Sequence, residues 1–256
     1  MNIGFLKPIP LLLIVTLAGC ASSAERQADR EKKEKMVETH VMLGAGYLQR
    51  GQLDVAKQEL EKALKQSPND SQANNIMAVL QWRLKDYIEA ERFFRQAIAS
   101  DAKNPSAQHN YGAFLCDRGK LDEGVRHLDV AAGNGLYPYT AEVNLNAGIC
   151  LMKKPSPVVA EKYLREALKI NPRLSGALFH MAKLSFDSGQ SLPARGFIER
   201  YFQSSEDTPE ALLLAVKIEH ALRDKNAKAS YALRLRTKFP TSPEAGQLHT
   251  ATGMKK

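Results

Sequence analysis

The sequence predicts an all-α fold, a right-handed superhelix of about six helix–turn–helix repeats. Three observations predict it. Small and apolar residues recur at a spacing of 34 across the stretch from Val37 to Pro240. No segment alternates apolar and polar residues with period two, so strands are not expected. Glycines and prolines fall at matching phases of the period, with Gly51, Gly119 and Gly189 between the two helices of a copy and Pro68, Pro172 and Pro240 after the second. Glycine takes a left-handed turn cheaply, and proline lacks the N–H that a continuing helix needs.

The first element is an export signal at residues 1–19. One cation, Lys7, precedes the apolar run Leu11-Leu12-Leu13-Ile14-Val15, and small residues then lead to Cys20. The run is shorter than the ~20 helical residues that cross a bilayer. Leu17-Ala18-Gly19-Cys20 resembles the bacterial lipobox. That resemblance implies a diacylglycerol on the Cys20 thiol, cleavage before it and acylation of the new amino group. Three chains hold a protein far more firmly than one, since each buried methylene adds ~0.8 kcal/mol. Ala21 stands where lipoproteins kept in the inner membrane often carry Asp, which implies the outer membrane as destination. Residues 20–36 are almost wholly polar and read as a lipidated tether or a frayed helix lead-in, short enough to keep the folded part close to a membrane surface.

The repeat region follows over residues 37–244, with copies at 37–70, 71–104, 105–140, 141–174, 175–208 and 209–242, and a tail at 245–256. In the first copy Leu43, Gly44 and Tyr47 fall in the first helix, and Ala56, Leu60 and Ala63 in the second. The pattern returns as Met77, Ala78, Ala90, Phe94 and Ala97, and then as Tyr111, Gly112, Leu115, Gly124, Leu128 and Ala131. After a two-residue insertion near Tyr137 to Tyr139 it continues as Ala147, Gly148, Leu151, Ala160, Leu164 and Ala167. The fifth copy keeps Met181, Ala182, Ala194, Ile198 and Tyr201, and the sixth keeps little beyond Ala215. This layout is similar to the tetratricopeptide repeat, a pair of antiparallel helices. Small residues at Gly44 and Ala56 let two helices approach, and Leu43, Tyr47 and Leu60 fill the space between them. Weak terminal copies are expected where a repeat has no neighbour to cover it.

Composition narrows the function classes. A hydrophobic fraction of 44% and a charged fraction of 25% exclude disorder throughout. The net charge of +8 is spread beside acidic residues, as in Glu59-Leu60-Glu61-Lys62, which reads as a solvated mixed surface rather than a nucleic-acid stripe. No HExxH, phosphate-binding glycine loop or GxSxG elbow occurs. His40, His109, His127, His180, His220 and His249 have no second ligand at a recognised metal spacing. No catalytic residue, metal, cofactor or small-molecule substrate is therefore expected. Cys116 and Cys150 remain after Cys20, on the first helices of adjacent copies, in a compartment where disulfides persist. Spacing alone allows either a bond, if their Cα atoms lie within about 7 Å, or two buried thiols.

In the tetratricopeptide fold, first-helix positions 5, 9 and 12 face a concave groove. Here that implies Val41, Ala45 and Leu48, then Asn75, Val79 and Trp82, then His109, Ala113 and Cys116, then Leu145, Ile149 and Met152, then Phe179, Lys183 and Phe186. The list is mostly apolar, which suits an amphipathic helix or an extended apolar peptide. Trp82, the only tryptophan, is an anchor if exposed and a core residue if not.

Two segments go beyond a generic repeat, Asn110-Tyr111-Gly112-Ala113-Phe114-Leu115-Cys116-Asp117-Arg118-Gly119 and Asn144-Leu145-Asn146-Ala147-Gly148-Ile149-Cys150. With the lipobox, the tether and the repeats, they resemble the type IV pilus biogenesis lipoproteins of the PilF/PilW type. The resemblance implies a pilotin, which binds the pilus secretin subunit and promotes its outer-membrane localisation and multimerisation, and hence twitching motility. It also implies that Cys116 and Cys150 pair. A tetratricopeptide lipoprotein scaffold for another envelope machine, in outer-membrane protein assembly or peptidoglycan synthesis, is the rival expectation.

Overall fold

The computed structural model describes residues 15–154 and 157–248. The signal at residues 1–14 and most of the tail, His249 included, lie outside the described residues, as does the side chain of Cys20. The described residues hold helices and no strands, and they divide into two units, residues 1–102 and 103–256.

The first unit contains α1 (Val15–Gln49), α2 (Leu53–Gln66), α3 (Ser71–Arg83) and α4 (Tyr87–Ser100). The second contains α5 (Pro105–Asp117), α6 (Leu121–Ala132), α7 (Thr140–Leu151), α8 (Val158–Ile170), α9 (Ser175–Asp187), α10 (Ser191–Ser204), α11 (Pro209–Ala221), α12 (Lys225–Lys238) and the short α13 (Pro243–Gly246). Each repeat copy is one antiparallel helix pair, the architecture of tetratricopeptide proteins. First helices begin where side chains cap them, with Asp70, Asn104 and Thr208 accepting from the N–H groups of Ala73, Ala107 and Ala211.

The core repeats as the sequence does. Ala56, Ala90, Ala160 and Ala194 are fully buried on the second helices, as are Leu60, Phe94, Leu128, Leu164 and Ile198 four residues further on. Close approach is real at the small positions. A Cβ added to Gly44 would lie 2.7 Å from the Leu60 side chain, and one on Gly148 would lie 2.7 Å from that of Leu164. The turns behave as expected at Gly51, Gly119 and Gly189, whose φ angles are +74°, +78° and +75°. At the same phase Lys85 and Arg223 adopt φ of 64° and 62° without being glycine.

Residues 23–36 belong to α1 and are exposed on all sides, as a helix lead-in, because Glu, Lys, Arg, Gln and Ala favour a helix even where nothing covers it. Two expectations change. Leu43 is 41% exposed rather than filling a helix interface. Its counterparts Met77 and Tyr111 are 2% and 3% exposed, whereas the first copy has no preceding repeat to cover it. The C-terminal tail does not begin at 245, since Leu248 is buried against Leu212, Leu213, Val216 and Leu235. No helix among the described residues is long and apolar enough to cross a membrane.

Candidate peptide-binding groove

In the first unit the first helices α1 and α3 pack side by side. Val41 and Leu48 are buried in one cluster with Ala73, Ile76, Met77 and Leu80, so little of either side chain is left exposed, although Val41 still lines a recess with Val37, Ser67, Asp70 and Gln72. Asn75 is 1% exposed within the packed stretch of α3. Burial limits what these three positions can offer, because a neighbouring first helix covers much of the face that a free helix would present. Ala45, Val79 and Trp82 remain half-buried. The seam is tied at its end by Arg83, whose Nη1 donates to the Leu48 carbonyl at 2.7 Å. That carbonyl lies in the last turn of α1, where it also accepts from the Gly51 N–H at 3.1 Å.

The second unit repeats the device two periods later. Lys153 Nζ donates to the Cys116 carbonyl at 2.9 Å. Cys116 and Cys150 themselves form a disulfide between α5 and α7, with Cα atoms 5.4 Å apart. The bond takes Cys116 out of any groove. Further along the same seam, the Asn146 amide lies 2.8 Å from His109 Nε2, and His109 Nδ1 lies 3.1 Å from the Tyr137 hydroxyl. Burial lowers the His109 pKa to about 4, so the ring is neutral at ordinary pH. Tyr137 belongs to the two-residue insertion, which therefore closes the α6–α7 turn over His109.

The remaining predicted residues stay accessible in part. Leu145, Met152, Phe179 and Phe186 are partly buried against the core of α8 to α11, Ala113 and Ile149 are half-buried, and Lys183 is exposed with Asp187 2.7 Å from its Nζ. Phe179 and Phe186 open onto a recess of about 350 Å³ shared by α9, α11 and α13. His180, Leu213 and Leu214 complete its apolar wall, with Lys183, Asp187, Glu210, Lys217 and Glu244 at the rim. His180 stacks edge-on against Phe179, with centroids 5.3 Å apart. Its buried Nδ1 has no hydrogen-bond partner, and burial holds its pKa below the usual histidine range. Buried polar atoms are normally paired, and this nitrogen is an exception beside the recess. Leu213 and Lys217 are positions 5 and 9 of the sixth copy. Extending the first-helix register into that degenerate copy would have found them.

The arrangement suits recognition of a side chain or short segment, with an apolar wall and a mixed-charge rim. Among the described residues no group of three or more His, Cys, Asp or Glu is placed to hold a metal ion.

Comparison with known proteins agrees with the geometry. A tetratricopeptide-repeat family model matches residues 41–105. The chain is 30% identical over 235 residues to the type IV pilus assembly protein PilF of Pseudomonas aeruginosa, covering 91% of this chain and 93% of that one. The solved structure of P. aeruginosa PilF superposes with a TM-score of 0.79 at 29% identity, covering 86% of this chain and 99% of that one. That of PilW, described as a widely conserved type IV pilus biogenesis factor, superposes at 0.77 and 29% identity, over 83% and 97%.

Proposed function

This chain belongs to the PilF/PilW family of type IV pilus assembly proteins, and from that membership we propose that its groove captures an apolar segment of the pilus secretin subunit. The coarser role follows from the family: a tetratricopeptide interaction scaffold in type IV pilus biogenesis. The finer role is a pilotin. Lipid on Cys20 holds the protein at the outer membrane facing the periplasm, and the bound secretin subunit is carried or kept there. The resulting local concentration favours closure of the secretin ring. The observation that carries the groove reading is the recess in which half-buried Phe179 and Phe186 meet the buried Leu213 and Leu214 in one apolar wall. An amphipathic helix presenting apolar residues on one face fits such a wall.

The test is a paired set of variants in cells. Phe186→Glu places a charge in the groove at a half-buried position, and Cys20→Ala removes the acyl acceptor. Both are expected to leave the protein folded and to deplete secretin multimers from the outer membrane, with twitching motility lost. Phe186→Glu alone should also abolish co-purification of secretin from solubilised membranes. Wild-type multimer levels in both variants would overturn the proposal. Recovery of a barrel-assembly or cell-wall complex in place of secretin would support the rival scaffold role.

A further inference from the structure

The positive charge is not spread evenly after all. Between Lys217 and Lys238 there are seven Lys or Arg and two Asp or Glu, and α12 itself contains no acid. Elsewhere exposed cations pair with acids three or four residues away, as in Lys62–Glu59, Arg92–Glu89, Arg95–Glu91 and Arg165–Glu161. The last copy abandons that interleaving.

It also breaks the repeat at its two smallest positions. The left-handed turn residue, glycine at 51, 119 and 189, is Arg223 here and keeps φ at 62°. The close-approach alanine of the second helix, at 56, 90, 160 and 194, is Lys228. Both changes favour charge over packing. Both residues line a recess of about 230 Å³ at the α11–α12 turn, together with His220, Lys225, Glu219 and Asp224. The two acids are already engaged. Glu219 is 1% exposed and takes the Arg195 Nε at 3.0 Å, with a second contact from the same guanidinium. Asp224 accepts from Arg195 Nη2 at 3.3 Å through one oxygen, and from the N–H groups of Asn226 and Ala227 through the other. Among the described residues Arg223, Lys225 and Lys228 form no ion pair.

We propose that this recess is an anion site for a phosphate group, held by Arg223, Lys225 and Lys228 with His220 as a further hydrogen-bonding partner. One guanidinium and two ammonium groups, carried by residues that line a single recess, supply the donors that phosphate oxygens accept from. Phosphate reaches such a site either free or as an anionic lipid headgroup.

Isothermal titration of the full chain at low ionic strength separates the two sources. Inorganic phosphate is one probe. Dihexanoyl phosphatidylglycerol below its micelle concentration is the other, with dihexanoyl phosphatidylcholine as zwitterionic control. The variant Arg223→Gly/Lys228→Gln is expected to weaken binding at least tenfold without lowering the thermal midpoint, since glycine suits the turn. Lys225→Gln repeats the test without touching the turn. Lys32→Gln/Lys65→Gln, which removes the same charge elsewhere, should bind as wild type. Tighter binding of phosphatidylglycerol than of inorganic phosphate assigns the site to a headgroup, and the reverse assigns it to free phosphate. The site is refuted if neither probe distinguishes wild type from Arg223→Gly/Lys228→Gln and Lys225→Gln. It is refuted equally if the charge-matched control loses as much, or if phosphatidylcholine binds as well as phosphatidylglycerol.

Discussion

Gly124 is glycine because Cys116 stands where its side chain would be: a Cβ at Gly124 would lie 2.6 Å from the Cys116 sulfur and 2.8 Å from the Gly112 carbonyl oxygen. The same repeat position is alanine at 56, 90, 160 and 194. The disulfide partner and the nearby backbone of α5 thus set a residue on α6. Gly124→Ala is expected to destabilise the chain by about 1–3 kcal/mol, the usual cost of overpacking a close contact. Combining it with Cys116→Ala should recover part of that loss and not all, because the Gly112 carbonyl remains. Urea unfolding of the single and double variants measures both, and full additivity would show that the sulfur is not the obstacle.

The Cys116–Cys150 bond closes a loop spanning 34 residues and links adjacent first helices. Constraining the unfolded chain over that length is worth at most about 4 kcal/mol in the chain-entropy account, and measured bonds usually contribute ~2–4 kcal/mol. Reduction, or Cys150→Ala with Cys116→Ala, is expected to lower the unfolding free energy by that amount, read as a lower urea midpoint. The Lys153–Cys116 carbonyl contact is then left as a polar tie across the same seam. Equal midpoints with and without reductant would show that α5 and α7 are held as well by packing alone.

Lys85 occupies a left-handed turn at φ 64°, at the repeat phase where three other copies carry glycine. A side chain there costs ~1–2 kcal/mol that glycine avoids, offset by the greater freedom of glycine in the unfolded chain. Lys85→Gly is expected to stabilise the protein by up to about 1 kcal/mol. Gly119→Ala is the converse, and should destabilise by a similar amount even though its Cβ would meet nothing within 4 Å. Thermal midpoints of the two variants, moving in opposite directions, check the assignment.

These cases mark what the sequence could and could not disclose. Period, helix pairing and the turn glycines were legible because each depends on one residue type at one phase. Groove membership was not. Val41 and Asn75 share a phase with Leu145 and Phe179, and Leu48 shares one with Met152 and Phe186, yet the first-unit residues named are buried and the second-unit ones are partly open. That difference comes from how closely the next first helix packs, which no single copy encodes. Leu213 and the Arg223–Lys228 recess lie in the copy whose pattern is weakest. There the departures from the repeat carry the information, and a search for matches passes over them.

His109 offers the pH test. With its Nε2 accepting from the Asn146 amide, the proton sits on Nδ1 facing the Tyr137 hydroxyl. A second proton would set Nε2–H against an N–H of Asn146 in a largely buried place. Burial accordingly lowers the folded pKa to about 4, from 6.5 in the unfolded chain. Between those values the unfolded state binds the proton and the folded state does not, so stability rises with pH. The contribution is complete above about pH 6.5 and is lost progressively as pH falls toward 4, amounting to at most about 3 kcal/mol. His127 and His180 are shifted in the same direction by burial, so the slope of wild type alone does not isolate His109. The difference between wild type and His109→Gln does. Urea unfolding at intervals from pH 7 to pH 4 should show the wild-type stability falling more steeply than the variant's across that window. Parallel slopes would mean that His109 takes up its proton in the folded protein as readily as in the unfolded chain, and that the closure of Tyr137 over it does not exclude charge.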